Sequence, residues 1–283
     1  QLADILLGRD FLKEAELKNA SPKGVERLIN DNVDYMLEVY GLLGYDAFGV
    51  HYLSEEHQLQ TIRRIRQVSG WEYMVFAHAD GTFAIPDGDG MVSFAYRIAD
   101  DPDDLTAEAE AMCVGAIERN RRLFDAGCDG FILCSDYCFN QGPFLSPAMF
   151  RQYITPYLTR IIAGIRDLGG YAIKHTDGDI MPILDQLVEA NPHALHSLDP
   201  MAGVDIAVVK KMYGDKVALL GNVNCALMQT GTEEQVVASA EYCLTHAKPG
   251  GGYVFCTSNI PFRGLPLERY QLVLDVWKRM RDY

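Results

Sequence analysis

The sequence predicts an α/β fold of the (β/α)8 barrel type, with seven of the eight strand–helix units present. Short apolar runs without polar alternation recur along the chain, and each is followed by an amphipathic helical stretch. That rhythm belongs to a parallel sheet covered on both faces. A further observation separates the barrel from a doubly wound sheet. No G-x-G-x-x-G follows an early strand, and Gly88-Asp-Gly90 is a lone fragment in a loop, more often a turn than a phosphate cradle.

Taken in order, Val25 to Leu43 has helical spacing (Leu28, Val33, Met36, Leu37, Val39) and stops at Gly44. A strand from Asp46 to His51 follows, then a helix from Glu55 to Val68 closed by Gly70, then a strand from Trp71 to His78. Ala79 to Asp104, rich in Gly and Asp, reads as a long loop. Leu105 to Ala126 is an amphipathic helix with Gly127 where a C′ glycine belongs. Strand Gly130–Ser135 leads to helix Pro147–Leu168, with Ser146 as N-cap and Pro147 in first position. Strands Tyr171–His175, Ala194–Leu198, Val217–Gly221 and Gly252–Cys256 alternate with helices Met181–Ala190, Val204–Tyr213, Glu233–Ala247 and Leu267–Arg281. The chain opens in a polar–apolar mixture before its first helix, so the missing first strand is expected upstream of residue 1. With no repeat and no Pro/Ser-rich linker, residues 1–283 read as one barrel domain.

Composition narrows the function. Hydrophobic residues make up 48% and charged ones 23%, which is globular. Lys+Arg 25 against Asp+Glu 39 gives a net charge of -14, which speaks against nucleic acid and anionic membranes as partners. No apolar run is long enough for a membrane span and no signal region follows the first residue. Seven cysteines without a paired spacing suggest reduced thiols and a cytoplasmic protein.

In a barrel of this type the site lies at the carboxyl ends of the strands. Those positions hold His51 and Tyr52, His78 and Asp80, Asp136 and Tyr137, His175 and Asp177, Asp199, Asn222 and Asn224, then Cys256 and Asn259. If the mouth is the site, His175, Asp199 and Asn222 should line one cavity. His175-Thr-Asp177-Gly-Asp179 is the sharpest cluster: residues two apart just past a strand can point the same way. An imidazole and a carboxylate so placed could hold a divalent metal or act as an acid–base pair. The structural alternative is a turn-bonded His and an Asp that caps the helix near Met181; Asp179 suits that cap better and leaves Asp177 free. Among the cysteines, Cys113, Cys128 and Cys243 read as buried filler, and Cys134 and Cys138 match no zinc spacing. Cys256 lies at a strand end, where it would join His175 and Asp177 as the third ligand of a catalytic zinc. His57, His193, His196 and His246 have no constellation around them.

These residues carry a family resemblance. The run Leu123-Phe-Asp-Ala-Gly-Cys-Asp-Gly, then Leu145-Ser-Pro-Ala-Met-Phe-Arg with Pro156-Tyr, then His175-Thr-Asp-Gly, then Gly214 to Asn222 and Pro249-Gly-Gly-Gly-Tyr resemble the uroporphyrinogen decarboxylase superfamily, from about Val33 to the end. The resemblance implies a (β/α)8 barrel whose first strand lies before Gln1. It implies either the haem-pathway decarboxylase or a methyltransferase that moves methyl groups to or from a corrinoid protein.

The residues divide those two. Where the decarboxylase has a catalytic Asp, this chain has Val50-His-Tyr-Leu53, and the family's late-strand His falls at or near Asn259. Few cations beyond Arg97, Lys174 and Arg263 are on offer for a polycarboxylate. The zinc-dependent thiol methyltransferases of the superfamily have His-x-Cys at His175-Thr-Asp177 and a further Cys near Asn259, so the resemblance implies zinc with oxygen replacing thiolate. The expected activity is therefore methyl transfer from a small donor, such as a methyl ether, to a corrinoid carried by a partner protein. His175, Asp177 and Asp199 are the expected catalytic groups, and His175, Asp177 and Cys256 the metal ligands. His51, His78, Asp136, Tyr137, Asn222, Asn224 and Asn259 are the expected substrate contacts. A homodimer is compatible with this reading. The alternatives are a decarboxylase-like lyase acting on a tetrapyrrole, and a non-catalytic barrel that only binds one.

Overall fold

The computed structural model describes residues 2–262 and 264–283; Gln1 and Arg263, one of the cations considered for the mouth, lie outside the described residues. Among the described residues nine strands form: β1 Ala47–Val50, β2 Met74–His78, β3 Gly130–Leu133, β4 Cys138–Phe139, β5 Gly142–Pro143, β6 Tyr171–Thr176, β7 Ala194–Ser197, β8 Ala218–Val223 and β9 Tyr253–Thr257. Seven of them make one parallel sheet in the order β1-β2-β3-β6-β7-β8-β9, and β4 and β5 pair as a small antiparallel hairpin. The order never reverses, so the doubly wound alternative is excluded. The sheet is a seven-stranded part-barrel, and among the described residues no pairing joins β9 to β1.

The helices start and stop where local chemistry dictates. Pro22–Leu43 begins three residues before the expected Val25 because Ser21 caps it, accepting from Gly24 N, with Pro22 at the first position. The stretch Ala79–Asp104 is not one loop: Asp87 caps a helix over Gly88–Asp100, and Asp101 caps the next over Pro102–Asp125. Its glycines and aspartates serve as caps, and buried Phe94 anchors it edge-on to Phe83. Gly127, at φ +115, closes the second helix with bonds from Gly127 N to Phe124 O and from Cys128 N to Leu123 O, a Schellman ending. The expected Pro147–Leu168 helix is broken at Ile154 into Pro147–Tyr153 and Thr155–Asp167, because Pro156 has no N–H to continue the ladder. Met181–Ile183 is a 3-10 turn ahead of helix Leu184–Glu189. Helices over Leu2–Leu7, Glu14–Leu17 and Cys225–Thr230 were not expected from periodicity; each is under two turns.

Between sheet and helices runs a core that includes Phe48, Ile62, Val75, Phe131, Leu133, Phe150, Ile161 and Ala172, all 1% exposed or less. Burying side chains of this size contributes about 1.5–3 kcal/mol each. The core fixes the parity of each strand, and parity decides which end residues face the helices. Lys174 faces inward there. Its ammonium bonds Asp80 Oδ2 at 2.9 Å and the carbonyls of Leu133 and Ser135, and lies 4.0 Å over the Tyr137 ring.

Candidate functional site

The site forms where β6 ends. His175 is part-buried, and the loop Asp177-Gly178-Asp179 turns back beneath the β4–β5 hairpin. Asp179 N donates to Phe139 O at 2.9 Å, and Asp179 Oδ1 accepts from Met181 N at 3.0 Å. Asp179 therefore caps the following turn and Asp177 is free of that duty. Gly178 sits at φ +84, and a Cβ there would stand 2.3 Å from Cys138 O. Gly178→Ala is accordingly expected to lower stability by at least about 1–3 kcal/mol for the backbone conformation alone, read from denaturant midpoints.

Three groups converge. His175 Nε2 lies 3.6 Å from Asp136 Oδ1 and 3.8 Å from Asp177 Oδ1. Asp136, just past β3, also accepts from Asp177 N at 3.1 Å. Asp177 is held at both oxygens: Ser197 Oγ donates to Oδ1 and Asn259 Nδ2 to Oδ2, each at 2.6 Å. Asp199 joins through the backbone, its Oδ2 accepting from Gly178 N at 3.2 Å while Oδ1 caps Met201 N. Among the described residues, Asp136, His175 and Asp177 are the one set whose ligand atoms all lie within 4.8 Å of each other.

The electrostatics follow from this crowding. Burial, with Asp136 and Asp199 nearby, pushes the Asp177 carboxyl up to about 6, although Ser197 and Asn259 favour the anion. Burial holds His175 well below the ordinary imidazole value, helped by His196, Lys174 and His78. His196 is brought down to about 4 by burial. His51 is brought down to about 3 by burial and by His78, on which it stacks at 4.1 Å and 12°. Four neutral imidazoles and three carboxylates therefore share one end of the sheet.

Several expected residues are placed elsewhere. Cys256, expected as third ligand, is not part of the convergent set, in which Asp136 stands with His175 and Asp177. Cys256 is near the end of β9, three strands from β6 with β7 and β8 between them, and burial raises its thiol to about 12. Tyr137 is fully buried, its hydroxyl 2.6 Å from Thr82 Oγ1 and its ring on Phe150, so it does not reach the mouth. Asn222 is 5% exposed, donates to Leu198 O and Val204 O, and accepts from Cys243 Sγ on the helix side. Asn224 caps the Cys225–Thr230 helix. Asp80 is enclosed by five donors, among them Lys174 Nζ, Ser135 N and Thr82 Oγ1. Burial alone would raise its carboxyl, but Lys174 and the other donors hold it low. His196, to which the sequence assigned nothing, stands with its Nδ1 2.8 Å from His175 Nδ1. Its signal was its register opposite His175.

The family model for uroporphyrinogen decarboxylase (URO-D) matches residues 87–280. A uroporphyrinogen decarboxylase of Aromatoleum aromaticum is 27% identical over 142 residues, 47% of this chain and 37% of its own length. That of Thioalkalivibrio sulfidiphilus is 27% identical over 144 residues, 47% of this chain and 38% of its own. These matches thus span well under half of each relative. Among solved structures, a methyltransferase from Methanosarcina mazei shares the fold, with a TM-score of 0.72, 15% identity, and 96% of this chain and 92% of that one covered.

Proposed function

We propose that this chain, which belongs to the uroporphyrinogen decarboxylase family, is a methyltransferase that moves a methyl group from a small donor, such as a methyl ether, to a corrinoid carried by a partner protein. The observation that carries the reading is the donor set at the end of β6: one neutral imidazole and two carboxylates converging on a common point, with no arginine among the described residues paired to any of them. Such a site suits activation of a leaving oxygen and is a poor seat for a polycarboxylate. Lys174 is spent on Asp80, and Arg97 on Asp104 and Glu108.

The reaction balances as methyl ether plus cobalt(I) plus a proton giving an alcohol and methyl-cobalt(III). The methyl–oxygen bond breaks, the cobalt electron pair forms the new bond, and the alcohol oxygen takes the proton. That oxygen needs a proton or a Lewis acid. His175 Nε2 and the carboxylates of Asp136 and Asp177 fit a borderline divalent ion such as zinc, which when bound would polarise the leaving oxygen. Ser197 and Asn259 orient Asp177, Asp199 holds the loop through Gly178 N, and the His51–His78 stack offers a flat neutral wall beside them. No helix among the described residues is long and apolar enough to cross a membrane, and a cytoplasmic setting suits seven free cysteines.

The test is direct. Purified protein, a methoxylated aromatic and cob(I)alamin are combined without oxygen, and methylcobalamin is followed by absorbance. Donor-dependent methylation is expected, with no decarboxylation of uroporphyrinogen in a parallel assay. The relatives' name favours the second reaction, and turnover to coproporphyrinogen would overturn the proposal.

A further inference from the structure

We propose that Lys174 is a positioning residue: its bonds to the segment that follows β3 hold Asp136 within reach of His175. The sequence offers Lys174 as a cation for substrate, whereas the structure turns it to the helix side of β6. The consequence for metal binding and methyl transfer rests on the reading above; the placement of Asp136 does not.

The backbone ladder between β3 and β6 ends too early to place Asp136. Its last pair is Leu133 with Lys174, short of both His175 and Asp136. Beyond that pair, side chains join the two segments. Lys174 Nζ donates to Leu133 O at 3.2 Å and to Ser135 O at 2.9 Å. Tyr137 N donates to Thr176 Oγ1 at 2.9 Å, and Asp177 N to Asp136 Oδ1 at 3.1 Å. Ser135 is gripped at both ends, since Asp80 Oδ2 accepts from its N–H at 3.0 Å and from Lys174 Nζ at 2.9 Å. The Lys174 ammonium thus spends its N–H groups on Asp80, Leu133 and Ser135. Asp136 follows Ser135 and His175 follows Lys174, so the Lys174–Ser135 bond sets the spacing of the two site groups. Ile85 N, donating to Asp136 O at 2.9 Å, holds the same residue from the side of β2.

Alternation along β6 makes the arrangement possible. Neighbouring side chains leave a strand on opposite faces, so His175 enters the site while Lys174 turns beneath it. The Lys174 side chain has no exposed surface, and that of Asp80 only 11%. Stability explains such a pair poorly, because a buried ion pair gains little over apolar side chains of the same volume. The site explains it better, since outer partners that orient ligands set metal affinity. An ion pair at the other end of the same strands gives the contrast. Arg66 bonds Gly127 O, Tyr73 O and Asp129 just ahead of β2 and β3, away from the carboxyl-end site.

The experiment compares the parent with Lys174→Met and Arg66→Met as metal-free, 15N-labelled proteins. Methionine keeps the length of the lysine stem against Tyr137, and Asp80 keeps Ser135 N, Gly81 N and both donors of Thr82. Amide exchange at Asp177 is read by NMR as a ratio to that at Leu219, a core amide bonded to Gly252 O. The ratio is expected to rise about 10-fold or more in Lys174→Met, as for one lost buried hydrogen bond. Co2+ affinity, followed by the visible spectrum, is expected to fall about 10–100-fold. Arg66→Met is expected to lose stability while keeping the parent's ratio and affinity. An unchanged ratio in Lys174→Met, or Co2+ bound as tightly as by the parent, would overturn the proposal, as would equal losses in Arg66→Met. If Lys174→Met does not fold, Thr82→Val takes its place. It removes one donor from Asp80 and the partner of the Tyr137 hydroxyl, and both readouts are expected to move the same way; an unchanged ratio overturns the proposal. A parent that binds no Co2+ yet shows the Lys174-dependent ratio removes the metal from the function above and leaves this placement standing.

Discussion

His175→Ala is expected to reduce methyl transfer by about 10³-fold or more, since a positioned acid–base group is worth about 10²–10⁴-fold and a metal ligand commonly more. From sequence alone, such a truncation at the wet end of a strand should leave stability nearly unchanged. The structure revises that expectation: the side chain is only 12% exposed and is bonded to His196. Removing it leaves His196 Nδ1 without its hydrogen-bond partner, at a cost of about 1–3 kcal/mol. Both effects are therefore expected together. They are separated by measuring activity per folded molecule, with the folded fraction from thermal melts. Activity that persists in the folded fraction would make His175 structural only. Asp177→Asn sharpens the case. The amide still accepts from Ser197 but meets Asn259 with the wrong group, so a ligand role predicts lost metal by elemental analysis. Retained metal would place the ligand set elsewhere.

The sheet was legible because its strands are uninterrupted apolar runs, Gly-Phe-Ile-Leu over β3 being typical, and because each ends at a polar mouth residue. The His175–Asp177 pair was legible for the same reason. The third group was not, because a strand-end list carries no neighbour relation. In the observed order β3 lies next to β6, which brings Asp136 to His175. Cys256 lies instead among Cys225 and Cys243 of the covering helices, whereas Asn259, past the same strand, does reach Asp177. Parity hid Asn222 and Tyr137: both stand at strand ends, and both turn to the helix side, where Leu198 O and Thr82 Oγ1 satisfy them. The helix over Gly88–Asp100 was hidden by its own caps, since glycine and aspartate read as loop until the side chain of Asp87 is seen to accept from Gly90 N.

Acid should unfold this protein earlier than its carboxylates alone would require. His51 and His196 are neutral in the fold, with values near 3 and 4 set first by burial, whereas the unfolded chain protonates histidine near 6.5. The unfolded state thus binds more protons as pH falls from about 6.5, and stability is lost down to about 3–4. At about 1.4 kcal/mol per unit, each of the two costs on the order of 2 kcal/mol by pH 4.5. That is a large share of a stability typically about 5–15 kcal/mol. Asp177 acts in the opposite sense. Its carboxyl is raised to about 6 from 3.8, so its contribution is present below about 3.8 and is lost as pH rises through 6. One carboxyl offsets only part of the histidine loss. The measurement is urea unfolding of metal-free protein from pH 7.5 to 4.5, beside His51→Phe. Phenylalanine keeps a flat ring against His78 and gives up no bond at Nδ1, which is buried without a partner. The variant is expected to lose about 2 kcal/mol less than the parent over that interval. An identical pH slope in the two proteins would show that His51 is protonated in the fold and that the stacked pair is not held neutral by burial.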